Sequence, residues 1–339
     1  MYEEFFGLRE RPFDLTPNPR FLLLTPSHRE ALANLQYGLS ARKGLTVLIG
    51  EAGSGKTTLI RSVFAEWEKA GHCVAHLSNP TLTRTEFLEY LAGAFGLTAE
   101  AGVSKTRFLA EFLEMVTARH ERGELTGLVI DEAQSLSDEL LEEVRLLMNA
   151  ETSSEKLFQV LLVGQPELAV KLSQPSLRQI KQRVAVRCTL STLDVRQTAA
   201  YIAGRIEIAG GVAAQVFTRE AVVTIHAHSR GIPRVISVIC DNSLVAGFAA
   251  GVCPITSSMV EEVCRDFDLE RATTPGESFV SEARTVAPGP AEQASPATLL
   301  ANATAASARE DRPRSEERSE RAGLFQSYLP ARKRRFSFF

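Results

Sequence analysis

The sequence predicts an α/β chain: a three-layer αβα sandwich built on a parallel sheet, then an all-helical region, then a disordered tail. Three observations carry this. Five short apolar runs (Leu45–Ile49, Cys73–Leu77, Leu128–Ile130, Phe158–Val163 and Ala185–Cys188) alternate with amphipathic stretches. Nearly continuous apolar strands separated by helices are the pattern of a parallel sheet covered on both faces. After residue 190 the apolar positions recur at helical spacing, and from residue 270 the chain turns to Ala, Pro, Ser, Glu and Arg with little periodicity. The expected organisation is 1–190 for the sheet-containing core with an N-terminal linker, 191–269 for the helical region and 270–339 for the tail.

Within the core, the stretch after Ser137 has the clearest helical spacing. Leu140, Leu141, Val144, Leu147 and Met148 fall on one side, and Glu139, Glu142, Glu143 and Arg145 largely on the other. Ser137 fits an N-cap, with Asp138 and Glu139 in the first turn where the helix dipole favours acids. The helical region shows four apolar-periodic segments, Thr198–Ile208, Ala221–His228, Val235–Phe248 and Met259–Phe267. Gly210-Gly211, Gly231-Ile232-Pro233 and Gly251 to Pro254 break them. The tail ends in Arg332-Lys333-Arg334-Arg335-Phe336-Ser337-Phe338-Phe339, a basic run tipped with aromatics.

Composition excludes several classes. The 339 residues are 44% apolar and 23% charged, as in ordinary globular proteins. The 38 basic and 41 acidic residues leave a net charge of −3, which argues against a chain built as a whole to bind polyanions. The N-terminus is acidic and lacks a basic region followed by an apolar core, so no signal peptide is read. The longest weakly polar stretch, Leu244–Ile255, is about half of the ~20 residues a spanning helix needs. Cys73, Cys188, Cys240, Cys253 and Cys264 are scattered, with no CxxC pair, so neither a disulfide framework nor a zinc knuckle is expected. A reduced, cytoplasmic protein is the default expectation.

The chemistry is concentrated in two motifs. Gly50-Glu51-Ala52-Gly53-Ser54-Gly55-Lys56-Thr57, followed by Thr58, fits G-x-x-x-x-G-K-[ST]. An apolar strand leads in and a helical pattern leads out (Leu59, Ile60, Val63, Phe64, Trp67). Glycines let the backbone wrap phosphates, and consecutive N–H groups at a helix start make an anion site. Lys56 would neutralise β- and γ-phosphate charge, and Thr57 would ligate Mg²⁺. Leu128-Val-Ile-Asp131-Glu132 then places two carboxylates at the carboxyl edge of the sheet, beside that loop. Asp131 is expected to hold Mg²⁺ through water, and Glu132 to orient or deprotonate the attacking water.

Other side chains have two readings each. Gln165, after the run ending in Gly164, either touches the γ-phosphate or the water, or is a loop glutamine before Pro166. Arg183 and Arg178, on a short helix expected over Ser176–Arg183, either reach a neighbouring subunit's γ-phosphate or are solvated. Arg234 either folds back onto the nucleotide or forms a salt bridge at a helix start.

Taken in order, these blocks resemble the AAA+ ATPases of the ExeA type, also called general secretion pathway protein A. The resemblance runs from about Tyr2 to Leu269. It is carried by Phe5-Phe6-Gly7-Leu8, Pro12-Phe13, Pro19-Arg20-Phe21, Gly50–Thr58, Asp131-Glu-Ala-Gln134 through Asn149, and Glu151-Thr152. Gly164-Gln-Pro-Glu-Leu168, Gln182-Arg183-Val184, Tyr201-Ile202 and Gly231-Ile-Pro-Arg234 complete it. It implies a P-loop NTPase sandwich with strand order 5-1-4-3-2 and an AAA+ helical lid. It implies that Lys56, Asp131 and Glu132 are the P-loop lysine, metal aspartate and catalytic glutamate. Gln165 falls at sensor 1, Arg183 at the arginine finger and Arg234 at sensor 2, and the stretch from Phe13 to Arg20 lies near the adenine. Secretion-type members continue into a membrane span and a periplasmic peptidoglycan-binding domain. Neither is read in this chain, so peptidoglycan binding does not carry over.

The expected function is an ATP- and Mg²⁺-dependent switch that hydrolyses ATP as a homo-oligomer. It would act on a protein partner of an envelope export, polysaccharide or pilus system at the inner face of the membrane. A DNA-binding ATPase of the transposition or replication-initiation type is the alternative, although the core shows no basic stripe. A regulatory scaffold with little turnover is a third reading. The Arg332–Phe339 end has four readings: an anionic bilayer, nucleic acid, a partner protein, or a solvated tail.

Overall fold

Strand β1 (Leu45–Gly50) is buried along its whole length, and its side chains alternate between two apolar layers. Leu45, Val47 and Ile49 enter one layer, and Leu48 enters the other. A computed structural model describes residues 1–14, 19–21 and 24–269 of the chain, all within one compact unit, Met1–Phe279. The tail assigned to 270–339, with its Arg332–Arg335 run, lies outside the described residues. So does much of the stretch from Phe13 to Arg20.

In chain order the core comprises α1 (Pro26–Ser40), β1, α2 (Lys56–Lys69), β2 (Cys73–Leu77), α3 (Arg84–Phe95), α4 (Ala99–Val103) and α5 (Lys105–Glu121). It continues through β3 (Thr126–Ile130), α6 (Asp138–Leu147), β4 (Phe158–Gly164), α7 (Pro166–Lys171), α8 (Arg178–Lys181) and β5 (Val184–Leu190). All strand pairs are parallel, and the order β2-β3-β4-β1-β5 is the expected 5-1-4-3-2 read from the other edge. Helices flank the sheet, which gives the three-layer sandwich. Edge strand β5 departs from the two-sided burial expected: Ala185, Arg187 and Thr189 are exposed while Cys188 and Leu190 are buried. Only the face toward α1 is covered there. The short helix expected over Ser176–Arg183 is a 3₁₀ turn, Pro175–Leu177, running into α8.

Helix α6 begins as its sequence predicts. The Leu140 N–H donates to Ser137 Oγ at 3.2 Å, and Leu140, Leu141, Val144, Leu147 and Met148 are all buried. Glu143 is a correction. It was expected on the solvent side with Glu139 and Glu142, yet it is only 4% exposed. Helices α3 and α5 reach over that flank, and Arg84 (2.5 Å) and Lys105 (2.8 Å) meet the carboxylate there. A second layer of helix thus buries what a surface helix would expose, and the two cations offset the desolvation.

Among the described residues the helical region holds five helices, the four apolar-periodic segments plus one short helix: α9 (Val195–Ile208), α10 (Ala213–Val216), α11 (Arg219–Ser229), α12 (Pro233–Ala250) and α13 (Ser257–Asp266). Ile202, Ile206, Ile225, Ile236, Ile239 and Leu244 form their shared core. The N-terminal residues Tyr2, Phe6, Leu8 and Phe13 pack into this core and not into the sheet layers. Phe13 is fully buried edge-on to Phe217. Arg205 of α9 lies over the Phe13, Phe21 and Tyr201 rings at 5.2–6.0 Å, so cation–π contact ties the N-terminal segment to this region. Among the described residues no helix is long and apolar enough to cross a membrane.

Candidate active site

The carboxyl ends of β1, β3 and β4 deliver three loops to one edge of the sheet. From β1 comes the Gly50–Gly55 turn. Gly53 (φ +79°) and Gly55 (φ +97°) take left-handed conformations that a side chain would strain. Helix α2 starts at once with Lys56, leaving its first N–H groups for a ligand. Lys56 is 5% exposed, and its Nζ donates to the Gly50 (2.8 Å) and Glu51 (3.0 Å) carbonyls across the mouth of the loop. Burial draws its ammonium below the ordinary lysine value, while the carboxylates of Glu132, Asp131 and Glu51 pull the other way.

From β3 come Asp131 and Glu132. Thr57 Oγ1 donates to Asp131 Oδ2 at 3.1 Å, so a hydroxyl from the loop and a carboxylate from the next strand but one stand together. Two oxygen donors are the set a hard cation such as Mg²⁺ takes when phosphates and water complete its shell. Among the described residues no group of three or more His, Cys, Asp or Glu gathers to hold a metal without such help. The residues present therefore fit a nucleotide-borne Mg²⁺.

Glu132 has left-handed backbone angles (φ 50°, ψ 39°), a conformation that costs a non-glycine residue and is seen at functional turns. Its Oε2 accepts from Gln134 Nε2 at 2.6 Å and from Gln165 Nε2 at 3.1 Å. The Gln134 and then the Gln165 hydrogen bond hold the carboxyl below its usual range against partial burial, and Lys56 adds to the shift. Gln134 Oε1 also accepts the Gln165 N–H at 3.2 Å. One amide thus bridges the ends of β3 and β4. Gln134 had no role from the sequence; its place in Asp-Glu-Ala-Gln was the only signal, and that signal does not say where the amide points.

Helix α12 supplies the roof. The Arg234 N–H donates to the Gly53 carbonyl at 3.2 Å, and a Cβ on Gly53 would stand 2.6 Å from the Arg234 Cβ. The Arg234 side chain is exposed beside the loop. Gly231, just before, admits the Leu193 carbonyl within 2.0 Å of where its own Cβ would be, so the helical region turns onto the core at a point only glycine allows.

Lys56, Thr57, Asp131, Glu132 and Gln165 are thus together, with the Arg234 backbone on the loop. Arg178 and Arg183 are not. Arg183 immediately precedes Val184, which pairs with Leu45 at the opposite end of β1. Six strand residues at about 3.3 Å each separate it from the Gly50 edge. Its Nη2 donates to Asn149 Oδ1 at 2.7 Å, and Arg178 is exposed at the start of α8.

Comparison with known proteins agrees with this fold. Residues 40–172 match the AAA domain family. General secretion pathway protein A of Aeromonas hydrophila is 40% identical over 251 residues, 74% of this chain and 46% of that protein. The chain therefore spans about half the length of that relative. The structure of Cdc6p from Pyrobaculum aerophilum superposes with a TM-score of 0.57 at 19% identity, covering 75% of this chain and 70% of that one. ORC2 of Aeropyrum pernix, in ADPNP-ADP complexes, gives 0.55 at 18% identity, covering 81% and 76%. At such identity these two speak for the fold alone. With the loop, the paired carboxylates and the strand order in place, the chain carries an AAA domain over residues 40–172 and, over the 251 matched residues, is similar to general secretion pathway protein A.

Proposed function

We propose that the chain is a Mg-ATP-driven switch that hydrolyses ATP and passes the change to a protein partner of an envelope export or assembly system. The observation that supports this most is the convergence of Lys56, Thr57, Asp131, Glu132 and Gln165 at one sheet edge. In this reading the N–H groups of the Gly50–Thr58 segment and Lys56 bind the phosphates. Lys56 leaves its two carbonyl partners for phosphate oxygens, a stronger charge-assisted contact. Thr57 and Asp131 would hold Mg²⁺, which would draw negative charge from the phosphates.

Glu132 stays ionised at neutral pH and accepts a proton from the attacking water, and Gln165 steadies it from the side. Arg234 links the position of α12 to the phosphate state through Gly53. Arg183 sits too far from its own loop to serve it and is offered to the nucleotide of an adjacent subunit, which makes a homo-oligomer the working form. The partner class is supported by the similarity to general secretion pathway protein A over 251 residues.

Calorimetric titration with Mg-ATP and steady-state phosphate release test the reading together. Wild type should bind and turn over; Glu132→Gln should bind as well and lose at least 100-fold in rate, the usual scale for a positioned base. Absence of ATP binding in the wild type would end the proposal.

A further inference from the structure

Beneath the phosphate loop lies a buried side chain with no part in the contacts above. Thr25 caps α1 by accepting the His28 N–H at 3.3 Å. Pro26 opens the helix, and His28, in its first turn, lays its ring under the loop at 5% exposure. Its Nε2 is 3.0 Å from the Ser54 carbonyl oxygen, and its Nδ1 is 2.6 Å from Thr25 Oγ1.

The protons on this chain of contacts can be assigned. A carbonyl oxygen only accepts, so Nε2 carries the hydrogen. Burial draws the imidazole below the ordinary histidine value against the opposing Ser54 contact, so the ring is neutral at pH 7. Nδ1 then has a free lone pair, and the Thr25 hydroxyl donates to it. Ser27 Oγ, 3.0 Å from Thr25 Oγ1, donates in turn to that oxygen. Each hydrogen has one acceptor and the tautomer is set.

The consequence reaches the ligand side of the loop. In a trans peptide the C=O and the following N–H point in opposite directions. A Ser54 carbonyl held down toward His28 therefore turns the Gly55 N–H up, away from α1. Among the described residues no acceptor takes that N–H. The neighbouring glycines would otherwise let this peptide rotate, since Gly53 and Gly55 both tolerate either sign of φ.

We propose that His28 is a positioning residue of the nucleotide site: it locks the Ser54–Gly55 peptide so that the Gly55 N–H is a preset phosphate donor. This rests on the nucleotide reading given above. A donor fixed before binding avoids the ordering cost of a mobile one, so His28 governs affinity for the phosphates more than the rate of the chemical step.

The test compares full-length wild type, His28→Ala and His28→Gln by Mg-ATP titration and by the split between KM and kcat. The glutamine amide keeps an N–H donor for Ser54; alanine does not. His28→Ala should bind ATP and ADP about tenfold more weakly (about 1.4 kcal/mol) with kcat within twofold of wild type, and His28→Gln should recover most of the loss. If wild type binds and His28→Ala binds equally, or if both variants lose affinity and kcat alike, the positioning role is wrong while the nucleotide reading stands. If wild type itself does not bind, that reading fails first. Should His28→Ala not fold, the ¹⁵N spectrum of the wild-type imidazole decides. A neutral ring protonated at Nε2 is expected, and a proton on Nδ1 alone overturns the assignment.

Discussion

Replacing Gln134 with leucine should move the acid limb of ATP hydrolysis without emptying the nucleotide site. Gln134 gives the shorter of the two amide contacts to the Glu132 carboxylate, 2.6 Å against 3.1 Å from Gln165. A hydrogen bond to an ionised group contributes about 1.5–3 kcal/mol. Glu132 is half-buried, and solvent can partly replace the amide, so the low end of about 1.5 kcal/mol applies. Loss of this hydrogen bond therefore moves the Glu132 carboxyl upward, toward the ordinary range.

The sign is set by the direction of the shift. The folded carboxyl sits below its ordinary value of 4.5. Its contribution to stability is therefore complete above the unfolded value and is lost as pH falls through the folded one. Gln134→Leu removes the main cause, leaves burial pushing upward, and frees the Gln165 N–H of its acceptor. The assay is kcat/KM for phosphate release between pH 4.5 and 8, which reports groups of the free enzyme. In wild type the Glu132 limb should lie on the acid side of the ordinary carboxyl range. The variant's limb should lie at higher pH than that of wild type, with ATP affinity within twofold of wild type. Superimposable limbs would refute the reasoning, because Gln134 would then not be setting the charge on Glu132.

Three further outcomes are expected. Gly53→Ala puts a side chain at φ +79° with its Cβ 2.6 Å from the Arg234 Cβ, so α12 must lift from the loop; Mg-ATP affinity should fall at least tenfold by calorimetry, and unchanged affinity would break the link between α12 and the phosphates. Gly231→Ala drives a methyl to within 2.0 Å of the Leu193 carbonyl oxygen at φ +72°. Strain and overpacking together cost about 3 kcal/mol or more, and scanning calorimetry should show Tm lower by about 6–12 °C. Arg183→Ala and Lys56→Ala proteins should each be nearly inactive alone, yet their mixture should release phosphate faster than the two rates added; a mixture no better than that would remove Arg183 from service to a neighbour.

The Gly50–Thr57 pattern was legible because everything it needs is contiguous: glycines for positive φ, a lysine at a helix start, an apolar strand in front. Asp131 and Glu132 were legible through the apolar run that ends on them, since a strand delivers its last residues to the sheet edge. Glu143 was misplaced by the same kind of reasoning. Periodicity assigns a face to a helix but does not see the other helices that cover it, and here α3 and α5 bring Arg84 and Lys105 onto the outward flank. Tyr2 and Phe13 were equally opaque, because an apolar N-terminal segment fits any apolar surface until the packing of α9–α13 selects one.

By itself, then, the sequence determined the five strands, the glycine-rich turn before α2 and the carboxylate pair at the end of β3, because each is written in neighbouring residues and in short-range backbone preference. Only the tertiary structure decided which amides hold Glu132, that α12 rests on Gly53, that Arg183 stands away from its own loop, and that His28 lies under Ser54. Those contacts join residues at least 26 positions apart, apart from Gln134. A side chain's direction across such a gap follows from how whole elements pack, and no local pattern encodes it.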